Sequence, residues 1–377
     1  MPRTPTHLLA ASLALSACTD DPEWDLPPLV ASSQYIDYRA WTGPMCMDTV
    51  LEEWDSFVAD TATFLDAPAR RVEFVWVPPE FDAPTRWGCD GGFGCFVPGD
   101  DIIFSRLFEH HHEVVHALEV PHFPGRHSFL IEGMATYLSE WEWVSLRPES
   151  PPSQDELARL ITDGPRTREE YAAAAHFVGW VIERHGMERY RDLAARWPAG
   201  GDYADLEVAY AAAIDADLAA DLIDIGLTEV YGRRHDFVCD PDTVAPVLPW
   251  GPGQSFALTL SGECGDIGPT DPADPADPLP TGATLPGFIR VLALDIPESG
   301  AYALRFGPAA AALTSPTLAT AALRGCPDAN FSPAWTGGDS VGVTLLEAGR
   351  YRLEVNVPPR PDSARDIDIF IDYIAPP

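Results

Sequence analysis

Apolar residues in this 377-residue chain change their spacing once, near residue 240, and that change constrains the fold more than any other feature. Before it they recur at helical intervals. Thr49 and Glu52 fit a capping box, and Val50, Leu51, Trp54, Phe57, Val58 and Phe64 return to one face, so residues 49 to 65 are predicted helical. Further helices are expected over about 106 to 119, stopped by Pro121, and over about 128 to 142. Thr167 and Glu170 form a second capping box, opening a helix that ends near Gly186, and Ala-rich helical sequence runs on to about residue 231. Extended segments at Ser33 to Arg39, Arg71 to Val77 and Ile102 to Phe104 accompany these helices, with a Pro- and Gly-rich loop over 78 to 100. After residue 240 the pattern alternates, and Phe256 to Leu260, Phe288 to Ile296, Tyr302 to Phe306, Val341 to Leu346, Tyr351 to Val357 and Ile367 to Ile374 read as strands. The expected class is therefore α+β: a small mixed sheet with helices over 33–240, then an antiparallel β-sandwich over 241–377. The length agrees, since it exceeds what one hydrophobic core comfortably serves. Within the second unit, residues 268–280 read GPTDPADPADPLP. Pro at every third position stiffens this stretch, so Asp271, Asp274 and Asp277 are read as loop residues rather than as calcium ligands.

The charge balance removes two classes of partner. All 24 basic residues are Arg, against 58 acidic ones, for a net charge of −34. Such a chain repels nucleic acid and anionic membrane surfaces unless it carries a basic stripe, and none is present in the sequence. The N-terminus offers a different link to a membrane. Arg3 is followed by an apolar run from Leu8 to Ala17, too short to span a bilayer, and then by Cys18. Leu15-Ser16-Ala17-Cys18 resembles the lipobox of bacterial lipoproteins, which implies a signal peptide over 1–17 and a lipid anchor on Cys18. Residues 18–32, acidic and Pro-containing, would be the tether, and the protein would sit in the bacterial cell envelope, on the periplasmic or cell-surface side. In an exported protein the remaining Cys46, Cys89, Cys95, Cys239, Cys264 and Cys326 read as up to three disulfides, with Cys89 and Cys95 placed to close a short loop.

The chemistry-bearing stretch is His112-Glu113-Val114-Val115-His116. At about 100° per residue, positions four apart on a helix share a face, so two imidazoles can grip one ion. Zinc suits neutral imidazole and carboxylate, and a catalytic site holds it with three protein ligands, leaving a fourth position for water. Glu113 is placed to take a proton from that water. Two residues compete for the third position. Glu132, in the EGMA stretch of the next helix, has small Gly133 and Ala135 beside it, which would let that helix approach the first. His122, six residues after His116, has the metzincin spacing, but Glu119 stands where that family needs a Gly for a sharp turn. His110, His111 and His127 are read as surface residues or as supports outside the ligand set.

Taken with the preceding strands and helix, HEVVH, EGMA and YAAAAHFVGWVIERHG make residues 33 to 235 resemble the gluzincin-type, peptidase-MA-like zinc metallopeptidases. The resemblance implies Zn2+ on His112, His116 and Glu132, with Glu113 as general base. It also implies that Tyr171 steadies the oxyanion, in an enzyme acting on peptide or protein substrates. Three features depart from the family pattern: Ala173 and Ala174 follow Tyr171 in place of the usual Lys and Gly, Thr136 replaces an acidic residue, and no G-A-M-E-N-like stretch is present. ESGAYALRFG and LEAGRYRLEVNV resemble accessory β-sandwich modules that follow many secreted bacterial peptidases. The alternative reading is a catalytically inactive peptidase-like surface lipoprotein that works as a binding module.

Overall fold

The computed structural model describes residues 26–40, 48–77, 94–107, 110–123, 125–139, 154–228, 233, 237, 247–248, 252, 255–260, 288–308, 320–326, 334–336, 340–357 and 367–376. The lipobox with Cys18, most of the acidic tether and the Pro/Asp-rich loop at 268–280 lie outside them, as do Cys46, Cys89, Cys239 and Cys264. Cys95 and Cys326 are each disulfide-bonded. The protein is mixed α+β, with three sheets among the described residues.

Strands β1 (Leu29–Ser32), β2 (Ile36–Ala40), β3 (Val72–Trp76), β4 (Gly94–Val97) and β5 (Ile102–Ser105) form the first sheet, in the order β1-β2-β3-β5-β4. β2, β3 and β5 run parallel, and β1 and β4 close the two edges antiparallel. Two expectations are corrected here. Leu29–Ser32 belongs to the sheet rather than to a tether, and Gly94–Val97 is a strand inside what reads as loop. Neither segment alternates cleanly, since an edge strand of four residues needs few apolar side chains. Helix α1 (Asp48–Leu65) connects the parallel β2 and β3, as such pairs require. It packs Trp54 edge-on to Phe74, 4.7 Å between ring centroids, while Tyr38 stacks on Phe74 at 5.1 Å.

Seven further helices follow among the described residues: α2 (His111–His122), α3 (Ser128–Ser139), α4 (Gln154–Asp163), α5 (Arg168–His185), α6 (Met187–Arg196), α7 (Tyr203–Ile214) and α8 (Leu218–Leu227). Local chemistry sets most of their ends. The Thr167–Glu170 capping box opens α5, Asp202 and Asp205 form another on α7, and Gly186 at φ 87° ends α5 where an L side chain would be strained. In this lysine-free chain arginines close helix C-termini: Arg191 donates to the Leu65 carbonyl at 2.7 Å and Arg189 to that of Ala213 at 2.7 Å.

Helix α2 starts later than the sequence suggests, because Ser105 ends β5 and its hydroxyl holds a turn through the Leu107 backbone. It also continues through Pro121. The turn closes beyond it, with the Phe123 N–H donating to the Glu119 carbonyl at 2.9 Å. Gly133 has a different role from the one expected: a Cβ there would lie 2.6 Å from the Ala174 carbonyl oxygen, so the small residue admits α5 rather than α2.

The second unit holds two sheets. One has the order β11 (Ala334–Thr336), β10 (Thr320–Gly325), β13 (Gly349–Val357), β8 (Phe288–Ile296), β6 (Val247–Leu248); the other, β12 (Ser340–Leu346), β9 (Gly300–Pro308), β14 (Ile367–Ala375), β7 (Phe256–Leu260). All pairings are antiparallel except β6 with β8, which is parallel. One buried apolar cluster takes Leu292, Leu294, Leu323, Leu353 and Val355 from the first sheet and Phe256, Tyr302, Leu304, Ile369 and Ile371 from the second.

Candidate metal centre

His112 and His116 lie four positions apart on α2, so their rings stand on one face of it, 4.6 Å between centroids and nearly perpendicular. Glu132, just over one turn into α3, meets them. Its Oε2 lies 3.0 Å from His112 Nε2 and 3.4 Å from His116 Nε2, and the two Nε2 atoms are 3.0 Å apart. These are the three groups that could hold one metal ion among the described residues, every pair of ligand atoms lying within 4.8 Å. Both histidines are buried, while the Glu132 side chain keeps 27% exposure, which leaves the group open on one side.

The electrostatics follow from that burial. Desolvation alone would raise the Glu132 carboxyl and lower the His116 imidazole. Their proximity reverses both: Glu132 is held well below the usual carboxylate range, and His116 is brought up to about 9. Glu113, one residue after His112, points to the side of the sheet and is buried. Burial pushes its carboxyl up, opposed in part by the two ligand imidazoles and by the Phe96 N–H of edge strand β4, which donates to it.

Surrounding side chains fix the group. Thr136, wholly buried one turn after Glu132, places Oγ1 3.4 Å from His112 Nδ1, so the same imidazole meets Glu132 through Nε2 and a hydroxyl through Nδ1. Ser105 Oγ lies 2.9 Å from His110 Nδ1, and His110 Nε2 lies 3.9 Å from Glu113 Oε1. Gly94 is the only residue type that fits there, since a Cβ would come within 2.5 Å of His110 Nδ1. Tyr171, in the first turn of α5, presents its ring edge-on to His112 at 5.8 Å; burial, first, and the nearby carboxylates raise its phenol and keep it protonated.

His110, His111 and His127 are all buried, which excludes the surface alternative for them and leaves that of supports outside the ligand set. His111 packs edge-on against Trp54 and Phe57 with Glu53 at 3.5 Å, and so anchors α2 to α1. His127 accepts from the Phe129 N–H at 3.2 Å at the start of α3 and stacks flat on Trp197 at 4.1 Å. His122 is not brought to the group. The helix continues through Pro121 and leaves His122 exposed, its ring against Phe123.

Sequence reasoning missed the Phe96 N–H, the Ser105–His110 contact and the buried pairing of Glu119 with Arg126. A polar residue in the midst of an apolar helix face is a signal for Glu119; a backbone donor leaves none.

No family model and no curated protein matches the chain. Among solved structures, the pre-peptidase C-terminal domain of collagenase from Bacillus anthracis is similar at 12% identity, covering 35% of this chain and 97% of that chain, with a TM-score of 0.20.

Proposed function

We propose that the protein is an exported, lipid-anchored zinc metallopeptidase that hydrolyses peptide bonds, with a β-sandwich accessory unit. The observation that carries this reading is the convergence of His112, His116 and Glu132 beside a buried Glu113. Two imidazole nitrogens and one carboxylate oxygen form the donor set that suits Zn2+ with a position left for water. When bound there, zinc polarises a carbonyl and brings the pKa of water to about 7.

The chain's own residues supply the rest. Glu113, made more basic by burial, takes the proton of the attacking water and returns it to the leaving amine. Tyr171, protonated throughout, donates a hydrogen bond toward the oxygen on which negative charge develops. Thr136, against His112 Nδ1, fixes the ring orientation that leaves Nε2 for the ion. The β-sandwich reading is supported by the single apolar cluster that both C-terminal sheets share. Among the described residues no helix is long and apolar enough to cross a membrane, and the anchoring reading rests on the lipobox-like sequence at Cys18.

The test is cleavage of a mixed peptide library. Metal-loaded wild type is expected to yield products, a chelator to abolish them, and Glu113→Gln to bind zinc while losing about 10²–10⁴-fold in turnover or more. Absence of any product from metal-loaded protein would instead favour a binding module.

A further inference from the structure

Glu119, Arg126 and Tyr190 form a buried polar chain next to the ligand group, on three different segments. Glu119 lies one turn beyond His116 on α2 and has 0% exposure; Arg126, in the connection to α3, has 7%; Tyr190, on α6, has 1%. The Arg126 guanidinium forms an ion pair with Glu119, donates through Nη1 to the Tyr190 hydroxyl at 3.3 Å and through Nε to the Phe123 carbonyl at 3.3 Å, and lies over the Phe123 ring at 4.7 Å. Tyr190 passes the contact on, donating to the Leu130 carbonyl in the first turn of α3 at 3.4 Å.

Stability alone does not account for it. Removing two charges from water costs about what their attraction returns, and apolar side chains of similar volume are commonly as stable or more so. A planar guanidinium differs from an apolar filler in being directional: its donors accept only one arrangement of partners. Here those partners are the end of the helix bearing both histidines, the connection after it, and Tyr190 on α6, whose hydroxyl in turn holds the start of the helix bearing Glu132. A slip of α3 against α2 would carry the Glu132 carboxylate away from the two Nε2 atoms and would also unpair a buried charge.

We propose that the Glu119–Arg126–Tyr190 chain is the positioning device that sets the register of α3 on α2, and so assembles the three-ligand metal centre. This rests on the zinc reading of that centre. Burial, chiefly, pushes the Glu119 carboxyl up to about 7 even with Arg126 beside it, which agrees with a site where water does not enter.

Full-length protein, freed of metal, would be titrated with Co2+ in competition with a chelator, following both affinity and the visible absorption of the ion, and the melting temperature of the metal-free form would be measured in parallel. The Glu119→Leu/Arg126→Met double variant removes both charges together. Its metal-free form is expected to melt no lower than wild type. Its Co2+ affinity is expected to fall by about 10- to 100-fold, with altered absorption. Wild-type affinity and spectrum in a folded double variant would overturn the proposal. Should that variant not fold, Tyr190→Phe, which leaves the ion pair intact, is expected to weaken Co2+ binding with little change in melting, and unchanged binding would overturn the proposal equally. Failure of wild type itself to take up Co2+ would defeat the zinc reading, and this inference with it.

Discussion

The two units bury different things. In the C-terminal sheets the described interior is apolar, with Arg352 its one buried charged side chain, and the outer face of β12 even exposes Val343 and Leu345. In the helical unit buried polar groups are dense and localised: Ser105, His110, His112, Glu113, His116, Glu119, Arg126 and Thr136 all lie on or beside α2 and α3. Burying such groups is expensive unless each finds a partner, so a fold selected only for stability would not gather them. The contrast separates an interior that serves packing from one that serves chemistry.

The strongest way to break that contrast is to remove a ligand. Glu132→Ala should drop zinc in the purified protein from one equivalent toward zero, whereas His122→Ala should leave it unchanged; metal analysis of both decides, and retained zinc in the first variant would sink the ligand assignment. In the C-terminal unit the expected outcome is of another kind. Leu353, 1% exposed, should cost about 2–5 kcal/mol on truncation to Ala. Calorimetry should register that loss while zinc affinity stays at the wild-type value; a joint fall in both would mean that the two interiors are coupled.

The smallest effect concerns pH. Burial lowers the His127 imidazole from its ordinary 6.5, opposed in part by a hydrogen bond to the Gly201 backbone. A base whose folded value lies below its unfolded one binds fewer protons when folded, so stability is retained above about 6.5 and lost as pH falls below it. Asn can accept the same Phe129 N–H but does not titrate. The melting temperature of His127→Asn is therefore expected to fall less than that of wild type between pH 6.5 and 5; an identical slope would show that this cap is not what acid breaks.

How much of this was legible depended on how local each feature is. The capping box at Thr167 and Glu170 and the stop at Gly186 can be read from adjacent residues, because a cap is completed within one turn. The start of α2 could not. Residues 106 and 107 suit a helix by composition, and Ser105, committed to β5 and to the turn through Leu107, holds them out. Gly133 was legible as a point of close approach but not for which partner, since a missing side chain says that something comes near and does not say what. Strand β4 was hidden because its place is set by pairing with β5, not by its own alternation.

By itself the sequence determined the change from helical to alternating spacing, and with it the α+β class, because periodicity is a property of neighbouring residues. It also determined that His112 and His116 share a face, since one turn of helix guarantees it. Tertiary structure alone decided that Glu132 rather than His122 meets them, that the Phe96 N–H reaches Glu113, and that Glu119 is sealed against Arg126. Each of those depends on how separate segments pack, and the position of one element against another is written in no single stretch of chain.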